Sequence, residues 1–446
     1  MFTKDDLKKL LAPLIVEQVL AVLVGMIDVV MVGAVGETAV SGVSLVDSIS
    51  ILIIQVLSAL ATGGAVVSAQ YIGKKQPDKA CRAAGQLMFV TVSASAVISV
   101  IALLGNRALL GGIFGQVERE VMDNAVIYFF LCACSYPFLA VYNSCAALYR
   151  SMGNSRVSMK VSMAMNLMNV AGNAICVFGL HMGVAGVGIP TLLSRGFAAV
   201  VMVLLIQRPE NVIRITSLSQ IKPEKTMIKA ILAVGVPNGL ENSIFQVGKL
   251  TLQSLVSSLG TTALASYAVA SNLVTFLYLP GNALGLGLIT IAGQCVGAGE
   301  YRQAKRYTWQ LIGFNYLLLA VISTAMFFGR SGLVALYQLS PEASVMAQEL
   351  VAAHAAAMII WPVAFTLPHT LRASFDAKFT MAVSIFSMWT FRIGFAYLFV
   401  LVFGIGILGV WYAMFIDWAF RVVVFLWRFR SYETRMRRGA ADVAAG

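Results

Sequence analysis

Long apolar runs separated by short polar loops organise this chain. Runs of about 20 apolar residues, the length a helix needs to cross the hydrocarbon core of a bilayer, recur twelve times. They lie at roughly 10–33, 43–69, 83–104, 122–146, 158–178, 183–206, 231–256, 266–292, 308–328, 346–369, 380–403 and 407–428. Alternation at the strand period is absent, which argues against a β-barrel. The pattern predicts an all-α integral membrane protein with twelve transmembrane helices. One polar interruption is longer than the rest: residues 207–230, with Pro209 and Pro223. It is expected to be a cytoplasmic linker between an N-lobe, 1–206, and a C-lobe, 231–446, that ends in a short basic tail.

The two halves repeat each other at a constant offset of 224 residues. Pro13, Glu17 and Gly36 match Pro237, Glu241 and Gly260, and Thr38-Ala39 matches Thr262-Ala263. Gly63, Gln70, Gly73 and Ala80 match Gly287, Gln294, Gly297 and Ala304 without a gap. Further on the offset drifts by a residue or two, so that Arg150-Ser-Met-Gly-Asn154 echoes Arg372-Ala-Ser-Phe-Asp376. Six helices per half return the chain to the same side of the membrane. The halves are therefore expected to be two six-helix lobes related by a pseudo-twofold along the membrane normal, with a cavity between them. Such lobes can rock about a central site and open it to each side in turn, which argues for transport. A static scaffold or receptor has no need of the duplication.

Composition supports the membrane reading: 59% of residues are hydrophobic and 12% charged, against about 25% charged in soluble domains. The net charge of +12 is not a nucleic-acid footprint. With the N-terminus in the cytoplasm, most of the Lys and Arg fall in inner loops and tails, and the outer loops hold only Arg107, Arg119 and Arg330. The positive-inside rule then predicts both termini inside. The first apolar run is too long for a cleavable signal and has no small-residue cleavage site. The six cysteines fall mostly in helices; Cys132-x-Cys134 has no convergent His or Cys partners and is expected to pack. No His-rich metal motif, G-x-S-x-G or P-loop is present, so the sequence offers no catalytic constellation.

Asp28 is a carboxylate inside the first apolar run, where a charge costs roughly 2.5–3.5 kcal/mol even on a lenient insertion scale. Residues that costly are usually functional. The fifth run carries Asn166, Asn169 and Asn173; the last two are four apart and share a helical face. Their amides need partners inside a membrane. Two amide oxygens and a carboxylate are hard ligands, suited to Na+ or a proton-linked network rather than to zinc. In the sixth run Thr191 follows Pro190, which frees a carbonyl one turn earlier, near Gly186–Val187.

Leu11-Ala-Pro-Leu, Asp28-Val-Val-Met-Val-Gly33, Gly36-x-x-Ala39, Gly63-Gly and Ser68-Ala-Gln70-Tyr-Ile-Gly73 stand in the first half. Arg150-Ser-Met-Gly-Asn154, Ala292-Gly-Gln294-Cys-Val-Gly297 and Gly406-Ile-Leu-Gly-Val-Trp411 follow. In their order and spacing these motifs resemble the multidrug and toxic compound extrusion (MATE) transporters over nearly the whole chain. The resemblance implies export of amphipathic, mostly cationic organic compounds, driven by inward Na+ or H+. It implies a prokaryotic cytoplasmic membrane, a small-molecule organic substrate and the lipid bilayer as partners, no nucleic acid, no cofactor beyond the coupling ion, and a monomer. It also places the family's N-lobe cation site on Asp28, Asn169, Asn173, the backbone oxygen of Val187, and Thr191. If the ion is Na+, its ligands are drawn from Asp28, Asn169, Asn173 and Thr191.

The C-lobe departs from the acidic second site of some family branches. Phe245 and Trp361 stand where those branches have acids, and the repeat mate of Asp28 is Leu252. Coupling is therefore expected in the N-lobe alone. Lys249 and Arg392 lie in C-lobe helices. Lys249 is expected either to pair with Glu241 or another acid, or to meet an anionic substrate group. Glu17 and Glu241 could line the cavity mouth or pair with inner-loop Lys or Arg. His369, in the same run as His354, is a candidate cavity or gate residue that is more commonly a packing group. Asp417 and Arg421 are expected to pair, and Asp47 to be interfacial. The Met and aromatic content suits an adaptable cavity lining. Two alternatives remain: a lipid-linked sugar flippase of the wider superfamily, favoured by Lys249 and Arg392, and a non-transport scaffold or receptor.

Overall fold

The structure is a computed structural model that describes residues 2–115, 117–216 and 218–445; residue 217 of the expected linker lies outside the described residues. Each predicted run coincides with helix, though the run 346–369 is divided between two helices and the run 380–403 among several helical stretches. The first unit carries α1 (Lys4–Gly33), α2 (Glu37–Gly73), α3 (Pro77–Phe114), α4 (Arg119–Ser151), α5 (Ser155–Ala174, running on as the π-turn Ile175–Gly179) and α6 (Ala185–Ile206). Then come α7 (Lys225–Ser257), α8 (Thr261–Gly297), α9 (Tyr301–Ala335), α10 (Pro341–Ala357) and α11 (Trp361–Ala373). α12 (Ala377–Ser387) continues through two π-helical stretches around the short α13 (Phe395–Tyr397), and α14 (Ile407–Arg430) and α15 (Tyr432–Ala445) close the chain.

Among the described residues, ten helical segments are long and apolar enough to cross a membrane. An eleventh is the pair α10 and α11, bent by 54°. Pro362 explains the break, since it has no N–H to donate to the Met358 carbonyl one turn earlier. α7 is the most polar of the predicted spans; Pro237, Asn238, Glu241, Asn242, Gln246 and Lys249 interrupt its apolar surface. Val30, Leu104, Phe328 and Trp427 are strongly exposed, as lipid-facing side chains must be.

Two compact units divide the chain, Phe2–Gly239 and Leu240–Gly446, so the division falls inside α7. In the first, α4 packs against α2, α3 and α6 around clusters that include Leu57, Phe129, Tyr136, Leu87 and Tyr149. In the second, α8 packs against α9, α10 and α11 around Leu277, Leu350, Trp361 and Trp418.

The repeat extends to the buried polar contacts within each unit. Thr91 bonds Ser144 at 2.8 Å in the first, and Asn315 donates to Thr366 at 3.0 Å in the second, at positions offset by 224 and 222. Gly36 and Gly260 are repeat mates because both start a helix with positive φ, 136° and 101°, a region costly for residues with a Cβ. The stretch before α7 is strapped to α3: Gln86 donates to the carbonyls of Gln220 and Lys222 and accepts from the Glu224 N–H. The expected basic tail is the helix α15. Asp376 accepts a bidentate pair from Arg428 (2.9 and 3.0 Å) and a further bond from Arg435 (2.9 Å), while Tyr432 bonds Ser374 at 2.7 Å.

Candidate functional sites

In the first unit α1, α5 and α6 bring the predicted cation-site residues together. α5 and α6 approach closely because Gly172 lacks a side chain: a Cβ there would lie 2.7 Å from the Cβ of Pro190. That contact sets the Asn face of α5 against Thr191. Asn173 Nδ2 donates to Asp28 Oδ1 at 3.0 Å and to Asn169 Oδ1 at 3.3 Å. Asn169 Nδ2 donates to Thr191 Oγ1 at 3.0 Å, and Thr191 Oγ1 donates to the Val187 carbonyl at 2.9 Å. A continuous chain thus runs from Asp28 to Val187. Asn173 is fully buried, yet its Oδ1 has no hydrogen-bond partner. Buried acceptors are rarely left so. One unused amide oxygen next to a half-buried carboxylate is a donor set fitted to a hard monovalent cation.

Asp28, Asn166, Asn169, Val187 and Thr191 line a cavity of about 360 Å³. Its other wall includes Asp47, which was expected only to be interfacial, together with Tyr128. Arg195 completes it, one turn past Thr191 on the same face of α6. Its Nη1 donates to Ser135 at 2.7 Å, and its charge is felt by both Asp28 and Asp47. Asp47 and Arg195 are site residues that sequence reasoning missed. The four-residue spacing from Thr191 to Arg195 was the available signal.

Glu17 does not line this cavity. Ser158 donates to it at 3.3 Å and Tyr142 at 3.5 Å, and Arg150 is within its electrostatic reach. Glu241, its repeat mate, accepts from Arg372 at 2.8 Å. Arg150 and Arg372 are themselves repeat mates, so one acid–arginine arrangement occurs in both units. Glu241 thus takes the inner-loop arginine that one of its two readings expected, and not Lys249.

The second unit holds a cavity of about 300 Å³ lined by Glu241, Lys249, His369 and Arg392, the remaining sequence candidates. Phe245, Trp361, Arg372 and Arg421 line it as well. Glu241, Phe245 and Lys249 stand four apart on one face of α7. α11 lies close to α8 because Gly281 makes room for Trp361, whose Cζ3 is 1.9 Å from where a Cβ would sit. Arg421 pairs with Asp417 as expected, at 2.9 Å, and Arg392 joins the same carboxylate at 2.9 Å; Ser387 also bonds it. His369 donates from Nδ1 to the Phe365 carbonyl at 3.0 Å. His354 is a buried packing residue, bonded to the Tyr278 hydroxyl at 2.8 Å and ringed by Trp411, Phe415 and Trp418.

Comparison with known proteins follows the same division. A family model described as MatE matches residues 13–175 and 237–398, one stretch in each repeat. The chain is 25% identical over 432 residues to YisQ of Bacillus subtilis, named an uncharacterized transporter, covering 94% of this chain and 92% of that one. It is 25% identical over 448 residues to a probable multidrug resistance protein NorM of Thermotoga maritima, covering 97% and 95%. The crystal structure of MATE in the straight conformation matches with a TM-score of 0.92 at 18% identity, over 98% of this chain and 97% of that one. At that identity the likeness concerns the fold.

Proposed function

Because the chain belongs to the MatE family of transporters, we propose that it exports amphipathic organic compounds by alternating access, in exchange for Na+ or H+ moving inward. The observation that carries the coupling is the bond chain Asp28–Asn173–Asn169–Thr191–Val187, with one buried amide oxygen left over. A cation held between Asp28 and the Asn173 oxygen would neutralise the carboxylate and take over acceptors that now serve the amides. Its loss would return the charge and the original bonds. The two states pack α1 differently against α5 and α6, and α1 also lines the adjacent cavity. Two carboxylates, Asp28 and Asp47, face that cavity against one guanidinium, Arg195, which supports a cationic amphiphile as a substrate. The bacterial relatives and the inner-loop excess of Lys and Arg support a prokaryotic cytoplasmic membrane with both termini inside. The chain acts as a monomer on this reading, since each site is complete within one unit.

Efflux of a cationic dye from proteoliposomes, under an imposed Na+ or pH gradient, tests the proposal and identifies the ion. Asp28→Asn should insert and fold normally yet lose gradient-driven flux. Undiminished uphill export by that variant would sink the assignment.

A further inference from the structure

We infer that the C-lobe cavity is a binding site for a small planar aromatic anion, a ring system bearing a carboxylate, sulfonate or phosphate, held by Lys249. Charge comes first. Four cationic side chains line the cavity: Lys249, Arg372, Arg392 and Arg421. Two carboxylates answer them, Glu241 on Arg372 and Asp417 shared by Arg392 and Arg421. Two positive charges are left over. Lys249 is the cation without an acid: among the described residues it makes no ion pair, and its ammonium sits 5.4 Å from the centre of the Phe245 ring. Its side chain is exposed and lines the cavity. A cation without a counter-charge in a membrane-spanning helix is costly and marks a functional position.

Hydrogen-bonding capacity points the same way. The Nε groups of Arg372 and Arg392 and the indole N–H of Trp418 are buried without an acceptor. Against these three donors, the buried carboxylate acceptors left without a hydrogen bond are Glu241 Oε2 and, behind Arg392, Asp417 Oδ2. Unused donors outnumber unused acceptors, so the complementary ligand is rich in acceptors. Guanidinium and ammonium donors bind carboxylate and phosphate oxygens with charge-assisted bonds, about twice as strong as neutral ones.

Shape supplies the ring. Tyr278 stacks on Trp361 at 5.5 Å between centroids and 27° between planes, and Trp361 on Phe365 at 5.0 Å and 16°. This three-ring stack forms one wall and Phe245 stands on α7. Offset stacking of a further planar ring is favourable. A volume of about 300 Å³ is at the low end for small-molecule sites and holds a bicyclic compound rather than a lipid-linked oligosaccharide.

The inference rests on the export reading only in adding a second substrate class beside the cationic amphiphile, and its binding arm stands without that reading. Calorimetric titration of the purified full chain with 2-naphthoate, 2-naphthamide and 2-(aminomethyl)naphthalene separates charge from ring burial. Naphthoate should bind about tenfold tighter than the amide, with the amine weakest. Lys249→Gln should remove that advantage and Lys249→Arg restore it. Equal or tighter binding of the amine overturns the inference, as does naphthoate affinity indifferent to Lys249→Gln. Saturable binding of a polyprenyl diphosphate without binding of naphthoate also overturns it. Asp28→Asn should lose driven efflux and keep naphthoate binding. Wild type that binds naphthoate but drives no efflux leaves the site standing and removes the export reading. Driven dye efflux without naphthoate binding does the reverse.

Discussion

Asp417 offers a direct measure of how tightly the C-lobe charges are balanced. It is fully buried and holds two guanidiniums whose side chains are 6% and 3% exposed, each at 2.9 Å. Asp417→Asn keeps the volume and deletes the charge, leaving Arg392 and Arg421 without their counter-ion inside a membrane-spanning unit. Removing one partner of a buried pair costs about 3–5 kcal/mol. For a domain of roughly 200 residues, each kcal/mol shifts the melting temperature by about 2–4 °C, so a fall of about 6–20 °C is expected. A thiol-reactive dye reads the transition, because buried Cys295 lies in the same unit. Asp417→Asn/Arg421→Gln should recover part of the loss, with a coupling of about 0.5–3 kcal/mol. A single variant that melts within about 2 °C of the parent would refute the argument, as would strict additivity in the double variant.

Two further outcomes are expected. Arg195→Gln removes a positive charge from the neighbourhood of Asp28, so the concentration of coupling cation giving half-maximal efflux should fall by about tenfold; a rise, or no change, counts against the placement of the cation at Asp28. Asp376→Ala deletes the acceptor shared by Arg428 and Arg435. Losing these charge-assisted bonds, at about 1.5–3 kcal/mol each, should loosen α15 and speed limited tryptic cleavage after Arg435, Arg437 and Arg438 several-fold. Unchanged cleavage would show that the Tyr432–Ser374 bond and the Lys305–Glu433 pair suffice to hold the helix.

The membrane-spanning helices were legible because bilayer thickness fixes run length. The Asp28, Asn169, Asn173 and Thr191 set was legible because helical spacing and motif resemblance agreed. Contacts between helices distant in the chain were not. Glu241 meets Arg372, 131 residues away, and nothing in local periodicity prefers that partner to Lys249, two turns along α7. The cavity position of Asp47 was hidden because the apolar run begins near residue 43, whereas α2 begins at Glu37, so Asp47 stands well inside the helix and not near its start. Arg195 is the one charged residue of α6, so nothing along the helix names its neighbours; the cavity around it forms only where α6 meets other helices. The bend between α10 and α11 was foreshadowed by Pro362, but the continuous apolar run concealed it.

The opposite charge of the two cavities has an electrical consequence. On the proposed assignments a cation travels inward by way of the first unit and an organic anion outward by way of the second. Both movements carry positive charge into the cell. A resting potential of about 100 mV, negative inside, contributes roughly 2.3 kcal/mol per charge moved across, hence about 4.6 kcal/mol per cycle for one cation and one monovalent anion. That voltage alone would sustain an outward anion gradient of more than about a thousandfold, even with no chemical gradient of the coupling ion. Exchange of the same ion for a monovalent cationic drug would move no net charge. Collapse of the voltage with the ion gradient held constant therefore distinguishes the two cargoes.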